Sequence, residues 1–583
     1  MDKAEVAAIL EEIAVLIELQ DSKNRFRALA YSKGARIISQ LETNLADLVA
    51  AGTLADVEGI GASLCEKITT LVNTGELPYW EELKAKTPVG LRELLRLPSL
   101  GPKKVKLLFE ELGIDDLKKL QDACAADKVA QLKGFGAKSQ AKILEGITVL
   151  SQLGNRIRLD QAQAVADLLV AGLRKCTGIE RLEVCGSLRR RKETINDIDL
   201  LVSAADAAPI MDAFVALPQV QKVIGKGDTK SSVLVGGYDE DNRRLAINAD
   251  LRVVNKSQFP FALSYFTGSK EHNIAMRQRA IQYGLKLNEY ELCGPKKSIA
   301  CKDEDDIYRA LDLDYVPPEL RENTGEIAAA AEHKLPKLLS ADALCGVFHC
   351  HTTWSDGAAT LEEMAAAAKK RGYQYLGIAD HSQSLTIANG LTPARVAQQQ
   401  RDIDAFNAKR RGIHLFKGTE CDILADGTLD FDDEVLASFD YVVASVHSYF
   451  NQSLEETTRR MIKAISHPRV TMLGHATGRL LLRREGYKVD LDAVLQAAKK
   501  HGVMIEINAN PRRLDLDWVH CKRAKALGVQ LVINPDAHST DEFDFTSRFG
   551  VDVARRGWLE DADVFNTRGL ADVKKSLAAR NSS

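Results

Sequence analysis

The chain has 583 residues, 45% hydrophobic and 27% charged, a composition that fits several globular domains, each able to bury a core. No run of about 18 apolar residues is present, which excludes a membrane-spanning helix, and the ten cysteines lie without Cys-x-x-Cys pairs, which excludes a disulfide scaffold or zinc ribbon. The net charge of −3 hides an asymmetry: residues 1–300 hold 42 Lys+Arg against 39 Asp+Glu, and the remainder 36 against 42.

The opening Met1-Asp2-Lys3-Ala4-Glu5 is acidic and helix-like, without signal-peptide form, so a cytoplasmic protein is expected. Residues 1–150 are dominated by helix-period segments, divided into regions 1–85 and 86–150. A pattern repeats within them as Val57-Glu58-Gly59-Ile60-Gly61, Leu97-Pro98-Ser99-Leu100-Gly101-Pro102-Lys103, and Leu132-Lys133-Gly134-Phe135-Gly136. Each is a tight turn leading into an amphipathic helix and resembles helix-hairpin-helix motifs, which offer backbone N–H groups to a DNA phosphate. Gly59, Gly61, Gly101, Lys103, Gly134 and Gly136 are the expected contacts. Ser99 replaces the first glycine of the second copy, so that turn is expected to be strained.

From about 151 the pattern turns to mixed strands and helices. Gly186-Ser187-Leu188-Arg189-Arg190-Arg191-Lys192-Glu193-Thr194-Ile195-Asn196-Asp197-Ile198-Asp199 joins a small-residue turn, a run of cations and two carboxylates. The apolar run Ile198, Leu200, Leu201, Val202 reads as a buried strand, and residues i and i+2 of a strand share a face. Asp197 and Asp199 therefore point the same way, and a hard dication would relieve their repulsion. A second strand, Leu245–Val254, carries Asp250. Three aspartates suit two ions about 3.5–4 Å apart that clamp an in-line displacement. The Gly-Ser turn and its arginines suit a triphosphate. Residues 243–302 hold 11 Lys+Arg against 4 Asp+Glu, a local surface for a polyanion.

This segment resembles the nucleotide-binding signature of family X DNA polymerases, the DNA polymerase β-like group. Tyr265-Phe266-Thr267-Gly268-Ser269 is similar to the segment that holds the deoxyribose in that family. The resemblance implies a nucleotidyltransferase palm at 151–260, a nucleotide-selecting subdomain at 261–317 of the fingers/thumb type, and Mg²⁺ or Mn²⁺ at Asp197, Asp199 and Asp250. It implies that Gly186, Ser187 and Arg190 hold the triphosphate, with Asn196 beside them. Tyr265, Phe266 and Gly268 would crowd the sugar 2′ position, Asn273 would touch the base, and Arg277 would reach the template. Arg191 and Asn196 stand where the family usually has glycine. The family's first hairpin often carries a Schiff-base lysine that removes a 5′-deoxyribose phosphate. Lys67 matches that position, with a simple phosphate contact as its alternative role.

Tyr315-Val316-Pro317-Pro318-Glu319 opens a charged stretch, read as a linker over 318–343. Residues 344–575 then alternate apolar runs with helical segments, the rhythm of a β/α barrel. Most runs end in a metal-binding type of residue: His349 and His351, then Asp356, His381, Glu420, His447, His475, and finally Asp536 and His538. Barrel enzymes build their sites from such strand ends. The set resembles the trinuclear site of PHP phosphoesterase domains, which are distorted (β/α)7 barrels. That implies three divalent ions, Mn²⁺, Zn²⁺ or Fe²⁺, and metal-assisted phosphoester hydrolysis. Arg479 is read as its phosphate clamp.

The whole chain thus reads as a multidomain α/β enzyme, monomeric and nucleoid-associated, acting on gapped or primer-template DNA with dNTPs. It would add nucleotides in short gaps for repair and trim 3′ ends as a 3′–5′ exonuclease. Two rival readings are a repair nuclease with a vestigial polymerase core and a small-molecule phosphatase fused to a DNA-binding module.

Overall fold

Leucine and isoleucine at helical spacing gather the first 150 residues into helices around two cores. The computed structural model describes residues 3–20, 25–40, 45–57, 59–75, 77–95, 97, 100–153, 156–238, 244–295, 298–409 and 412–581. The chain divides into one unit of residues 1–156 with 235–247 and another of 157–234 with 248–583. In the first unit, Leu10, Ile13, Leu16, Ile38, Leu54, Ile68 and Leu71 make one core, and Val105, Leu108, Leu120, Val129 and Ile143 make the second. Leu19, on the helix Lys3–Gln20, packs into the second core.

The three repeated turns close alike. Ile60 N–H donates to Val57 O (3.0 Å), Leu100 to Leu97 (3.1 Å) and Phe135 to Leu132 (3.0 Å). Gly59 and Gly134 have φ of +90° and +92°, the left-handed region that glycine enters without steric cost. Ser99, expected to strain the second turn, lies outside the described residues.

In the second unit β1 (Ile157–Arg158) pairs with β3 (Thr194–Ile195). A five-stranded sheet runs in the order β2 (Ile179–Val184), β4 (Asp197–Ala204), β7 (Arg244–Val254), β6 (Lys230–Tyr238), β5 (Val220–Lys226). β4 is antiparallel to β2 and parallel to β7. Ile198, Leu200, Leu201 and Val202 are all buried, as a strand between two packed layers requires. A small sheet of β8 (Lys286–Leu287), β9 (Leu292–Cys293) and β10 (Ser298–Ile299) follows the helices Phe259–Thr267 and Lys270–Gln282.

The segment expected as a linker does not run free. Leu320 and Ala330 join the core formed by Phe261, Met276, Tyr308 and Val316, and Arg321 and Glu326 are fully buried. Both are satisfied inside: Arg321 Nη1 lies 2.6 Å from Glu304, and Glu326 lies 2.7 Å from His272 Nδ1 and accepts from the N–H groups of Asn323 and Thr324. Charge composition suggested solvation, but pairing permits burial.

The remaining strands are β11 (Gly346–Cys350), β12 (Tyr375–Ile378), β13 (His414–Asp422), β14 (Tyr441–Ser445), β15 (Met472–Leu473), β16 (Met504–Asn508) and β17 (Leu531–Asn534). All neighbours are parallel and follow chain order, and a bridge between Cys350 and Ala537 ties the first strand to the segment after the last. This is a nearly closed seven-stranded barrel. Phe348, Tyr375, Phe416 and Tyr441 fill its interior beneath the strand ends. Gly377 and Gly418 leave room for Tyr441, since a Cβ on either would meet its ring or hydroxyl within 2.5 Å.

Candidate active sites

β4 and β7 pair in parallel with Asp199 opposite Asp250 and Asp197 opposite Asn248. The three expected aspartates thus share one face of one sheet edge. Burial, then the charges of Asp197 and Asp250, push the Asp199 carboxyl up to about 7. That is the signature of a site short of positive charge, and divalent ions fit it. Lys230 Nζ reaches Asp250 at 2.6 Å and supplies part of the missing charge. Gly186 has φ +64°, and a Cβ there would lie 2.4 Å from Asp199 Oδ2. Only glycine lets the signature turn press against the carboxylate. Ser187 follows in the same turn, which closes when Arg190 N–H donates to Gly186 O (3.2 Å).

The arginines of the signature are engaged within the protein. Arg190, expected at the triphosphate, donates from Nε to Glu322 (3.1 Å) and from Nη1 to Thr267 O (2.5 Å). Arg189 binds Glu304 and Thr267 Oγ1. Asn196 lies between β3 and β4, next to Asp197. Tyr265 is exposed and packs edge-on against Phe266, whose ring is covered by Arg252 at 4.4 Å. Gly268 (φ +73°) would carry a Cβ 3.0 Å from Arg190 Nη1. Asn273 Nδ2 donates to Tyr265 O (2.7 Å), and Arg277 Nε donates to Asn273 O. Of this segment, Thr267 and Gly268 pack against Arg190.

In the helical unit, Gly61 and Gly101 are N-caps of Ala62–Thr74 and Pro102–Leu112, and neither helix start has a side-chain cap. Their backbone N–H groups remain for an outside acceptor. Gly136 N-terminally flanks Ala137–Leu153, and Lys103 is exposed. Lys67 Nζ donates to Ser63 Oγ (2.8 Å) and lies 5.7 Å from the Tyr79 ring centre, without the burial that a Schiff-base amine would use.

All nine expected barrel residues converge. Glu420 is the centre: its oxygens lie 2.9 Å from His475 Nε2 and His381 Nδ1, 3.2 Å from His349 and His447, and 3.7 Å from His351. Asp356 stands 3.5 Å from both His381 and His538, and Asp536 stands 3.3 Å from His351. Three groups have their ligand atoms within 4.8 Å of one another: His351, Asp356, His381 and His538; His349, His351 and Asp536; His381, Glu420 and His447. Among the described residues every such group belongs to the barrel. Buried nitrogens of His349, His351, His381 and His475 have no hydrogen-bond partner. Lone pairs hidden from water and from donors fit metal ions. Burial would raise the Glu420 carboxyl, but His447, His349 and His381 hold it well below its usual range. Against burial, Glu420 in turn pushes His381 up to about 9 and His447 up to about 10. His349, His475 and Asp536 have φ of +56°, +20° and +52°, strain concentrated where the ligands must meet.

Comparison with known proteins places these sites. Family models match residues 1–77 as a helix-hairpin-helix domain, 91–148 as a SAM-like helix-hairpin-helix tandem, 262–322 as a DNA polymerase beta thumb and 348–510 as a PHP domain. The "DNA polymerase/3'-5' exonuclease PolX" of Bacillus subtilis is 39% identical over 579 residues, 99% of each chain. The chain belongs to the PHP-bearing family X DNA polymerases. A protein of Thermoanaerobacter sp. named "Probable phosphatase" is 30% identical over 241 residues, 39% of this chain and 92% of its own. A similarly named protein of Caldicellulosiruptor saccharolyticus is 32% identical over 217 residues, 36% of this chain and 81% of its own.

This family X chain also carries functional residues that motif reading missed. Glu506, on β16, lies 2.5 Å from His349 Nδ1 and accepts from Asn508 and Asn534 (3.0 and 2.9 Å). Such a partner fixes the ring of a metal-binding histidine. Asp422 does the same for His447. The signal was present in Met504-Ile505-Glu506-Ile507-Asn508, an acid inside an apolar strand. Arg479, expected as a phosphate clamp, donates its guanidinium to the carbonyls of Arg513 and Leu514 and so braces a loop. Another cation at the site is Arg513, whose Nε lies 3.5 Å from Asp536.

Proposed function

We propose that this polymerase fills short DNA gaps for repair and that its barrel trims or cleans 3′ ends to make them extendable. The observation that carries the reading is the presence of two separate carboxylate-rich centres on one chain, one beside a nucleotide-binding turn and one made of histidines. Asp197, Asp199 and Asp250 would hold the ions of the first centre, and Asp250 would accept the 3′-OH proton. Mg²⁺ or Mn²⁺ bound there supplies Lewis acidity toward the 3′-OH and the triphosphate. Gly186 and Ser187 offer N–H and hydroxyl groups to the phosphates, and Arg190 joins them when its bond to Glu322 gives way. Asn196 flanks the phosphates. Tyr265, Phe266 and Gly268 close the space beside the sugar, Asn273 faces the base, and Arg277 reaches the template strand. Gly59, Gly61, Gly101, Lys103, Gly134 and Gly136 hold backbone phosphates of the duplex, and Lys67 makes a further phosphate contact.

At the barrel, Mn²⁺, Zn²⁺ or Fe²⁺ supplies Lewis acidity toward a terminal phosphoester. His349, His351, Asp356, His381, Glu420, His447, His475, Asp536 and His538 would hold the ions, Glu506 and Asp422 would orient two of the rings, and Arg513 would meet the phosphate. The phosphatase names of the barrel's relatives favour a second substrate at this site, a 3′-terminal phosphate.

The test is a gel assay on a 5′-labelled primer in a one-nucleotide gap with Mn²⁺, with and without dNTPs. Asp250→Ala should abolish extension and keep stepwise shortening, and His349→Ala with His351→Ala should do the reverse. Loss of both activities in either variant would overturn the two-centre reading. Shortening alone in the unaltered chain would leave a repair nuclease.

A further inference from the structure

Arg191 occupies a family glycine position with φ +59°, a left-handed backbone that side chains enter only at a steric cost. What holds it there is the barrel domain. Arg191 donates from Nε to Asp552 (2.6 Å), from Nη2 to Arg548 O (3.1 Å) and from Nη1 to Gln163 (2.5 Å). The next helix position to contact the turn is Arg556, whose side chain is fully buried against Trp518. Arg556 Nη1 donates to Arg190 O (2.5 Å) and also reaches Glu322 (3.2 Å). Glu322 is the carboxylate that Arg190 binds. One buried acid is therefore shared by a cation of the polymerase signature and a cation of the barrel domain.

We propose that Arg556 and Asp552, although folded with the hydrolytic barrel, are positioning residues for nucleotide addition. The inference rests on the proposed role of Arg190 at the triphosphate. For Arg190 to turn to phosphate it must leave Glu322 and the Thr267 carbonyl, and a largely buried carboxylate stripped of its partner is costly. Arg556 keeps Glu322 paired through that change, so the release of Arg190 is cheap. Asp552, through Arg191, fixes the turn on which Arg190 rides. Arg555 with Glu319 (2.7 Å) and Lys522 with Thr324 O (2.8 Å) anchor the same barrel face to the segment that carries Glu322.

The decisive experiment measures single-nucleotide gap filling by the full chain alongside hydrolysis of bis-p-nitrophenyl phosphate. Arg556→Met keeps the apolar stem and removes the charge. It should raise KM for dNTP about tenfold, the range exchanged by coupled charged neighbours, with kcat nearly unchanged. Adding Glu322→Gln should bring KM back to within about threefold of the unaltered chain, because Arg190 then has no carboxylate to leave. A merely structural role predicts the opposite, a double variant worse than either single one. Asp552→Asn, which is nearly isosteric, should also raise KM for dNTP and leave hydrolysis of the chromogenic ester unchanged. An unchanged KM in both Arg556→Met and Asp552→Asn, or no rescue by Glu322→Gln, overturns the inference. Arg190→Gln is the control: if it leaves KM for dNTP unchanged, the proposed role of Arg190 at the triphosphate has failed instead.

Discussion

Replacing Gly186 with alanine should silence nucleotide addition and spare the barrel. The added Cβ would stand 2.4 Å from Asp199 Oδ2, where ordinary contact needs more than 3 Å, so carboxylate or turn must shift by roughly 1 Å. A displacement of that size at reacting groups costs about 10²-fold in rate. The φ of +64° adds about 1–2 kcal/mol of backbone strain, felt as a modest loss of stability. The assay compares kcat/KM for single-nucleotide gap filling with urea unfolding and with Mn²⁺-dependent 3′ shortening on the same preparation. The expected result is a fall of at least about 10²-fold in addition, a folded protein and unchanged shortening. Gly186→Ala that adds nucleotides at the original rate would refute the packing argument. Equal loss of both activities would show that the strain spreads through the fold.

Glu506→Gln should weaken metal binding or shortening by about 10–100-fold while nucleotide addition stays constant, and an unchanged manganese titration would remove Glu506 from the site. Arg513→Ala should slow shortening by about 10²-fold in a folded protein, whereas Arg479→Ala should first lower the unfolding midpoint; a larger rate loss from Arg479→Ala would support its reading as the clamp. Glu304 is buried, yet Arg321 and Arg189 outweigh burial and hold its carboxyl at about 2, below its usual 4.5. Its contribution is therefore present above pH 4.5 and fades as pH falls toward 2. The stability gap between the unaltered chain and Glu304→Gln, about 3 kcal/mol at neutral pH, should narrow across that window in urea titrations, and a gap that stays constant would exclude the ion pair.

What the sequence disclosed depended on whether chemistry followed a period. The nine barrel residues that converge were legible because all but Asp356 come near the end of an apolar run, where a parallel strand must stop. Asp197, Asp199 and Asp250 were legible because strand spacing fixes their face. Glu506 was passed over because a charge in mid-strand makes sense only once its partner, His349, is known to sit across the barrel. The loop brace made by Arg479 was not legible because nearness to His475 in sequence says nothing about where a long side chain turns. Residues 318–343 misled for a related reason, since composition counts charges without showing that Arg321 and Glu326 each have a buried partner.

Those two buried residues bear on where this polypeptide can be cut. Severing it at Pro317, the seam its composition advertises, would leave Glu304 without the charge of Arg321 and His272 without its hydrogen bond to Glu326. A free-standing nucleotide-adding fragment must therefore keep the chain through at least Ala330. Leu339 N–H, a few residues on, already donates to Leu559 O, far along the barrel sequence (3.0 Å). A fragment cut between them would have to rebuild that joint.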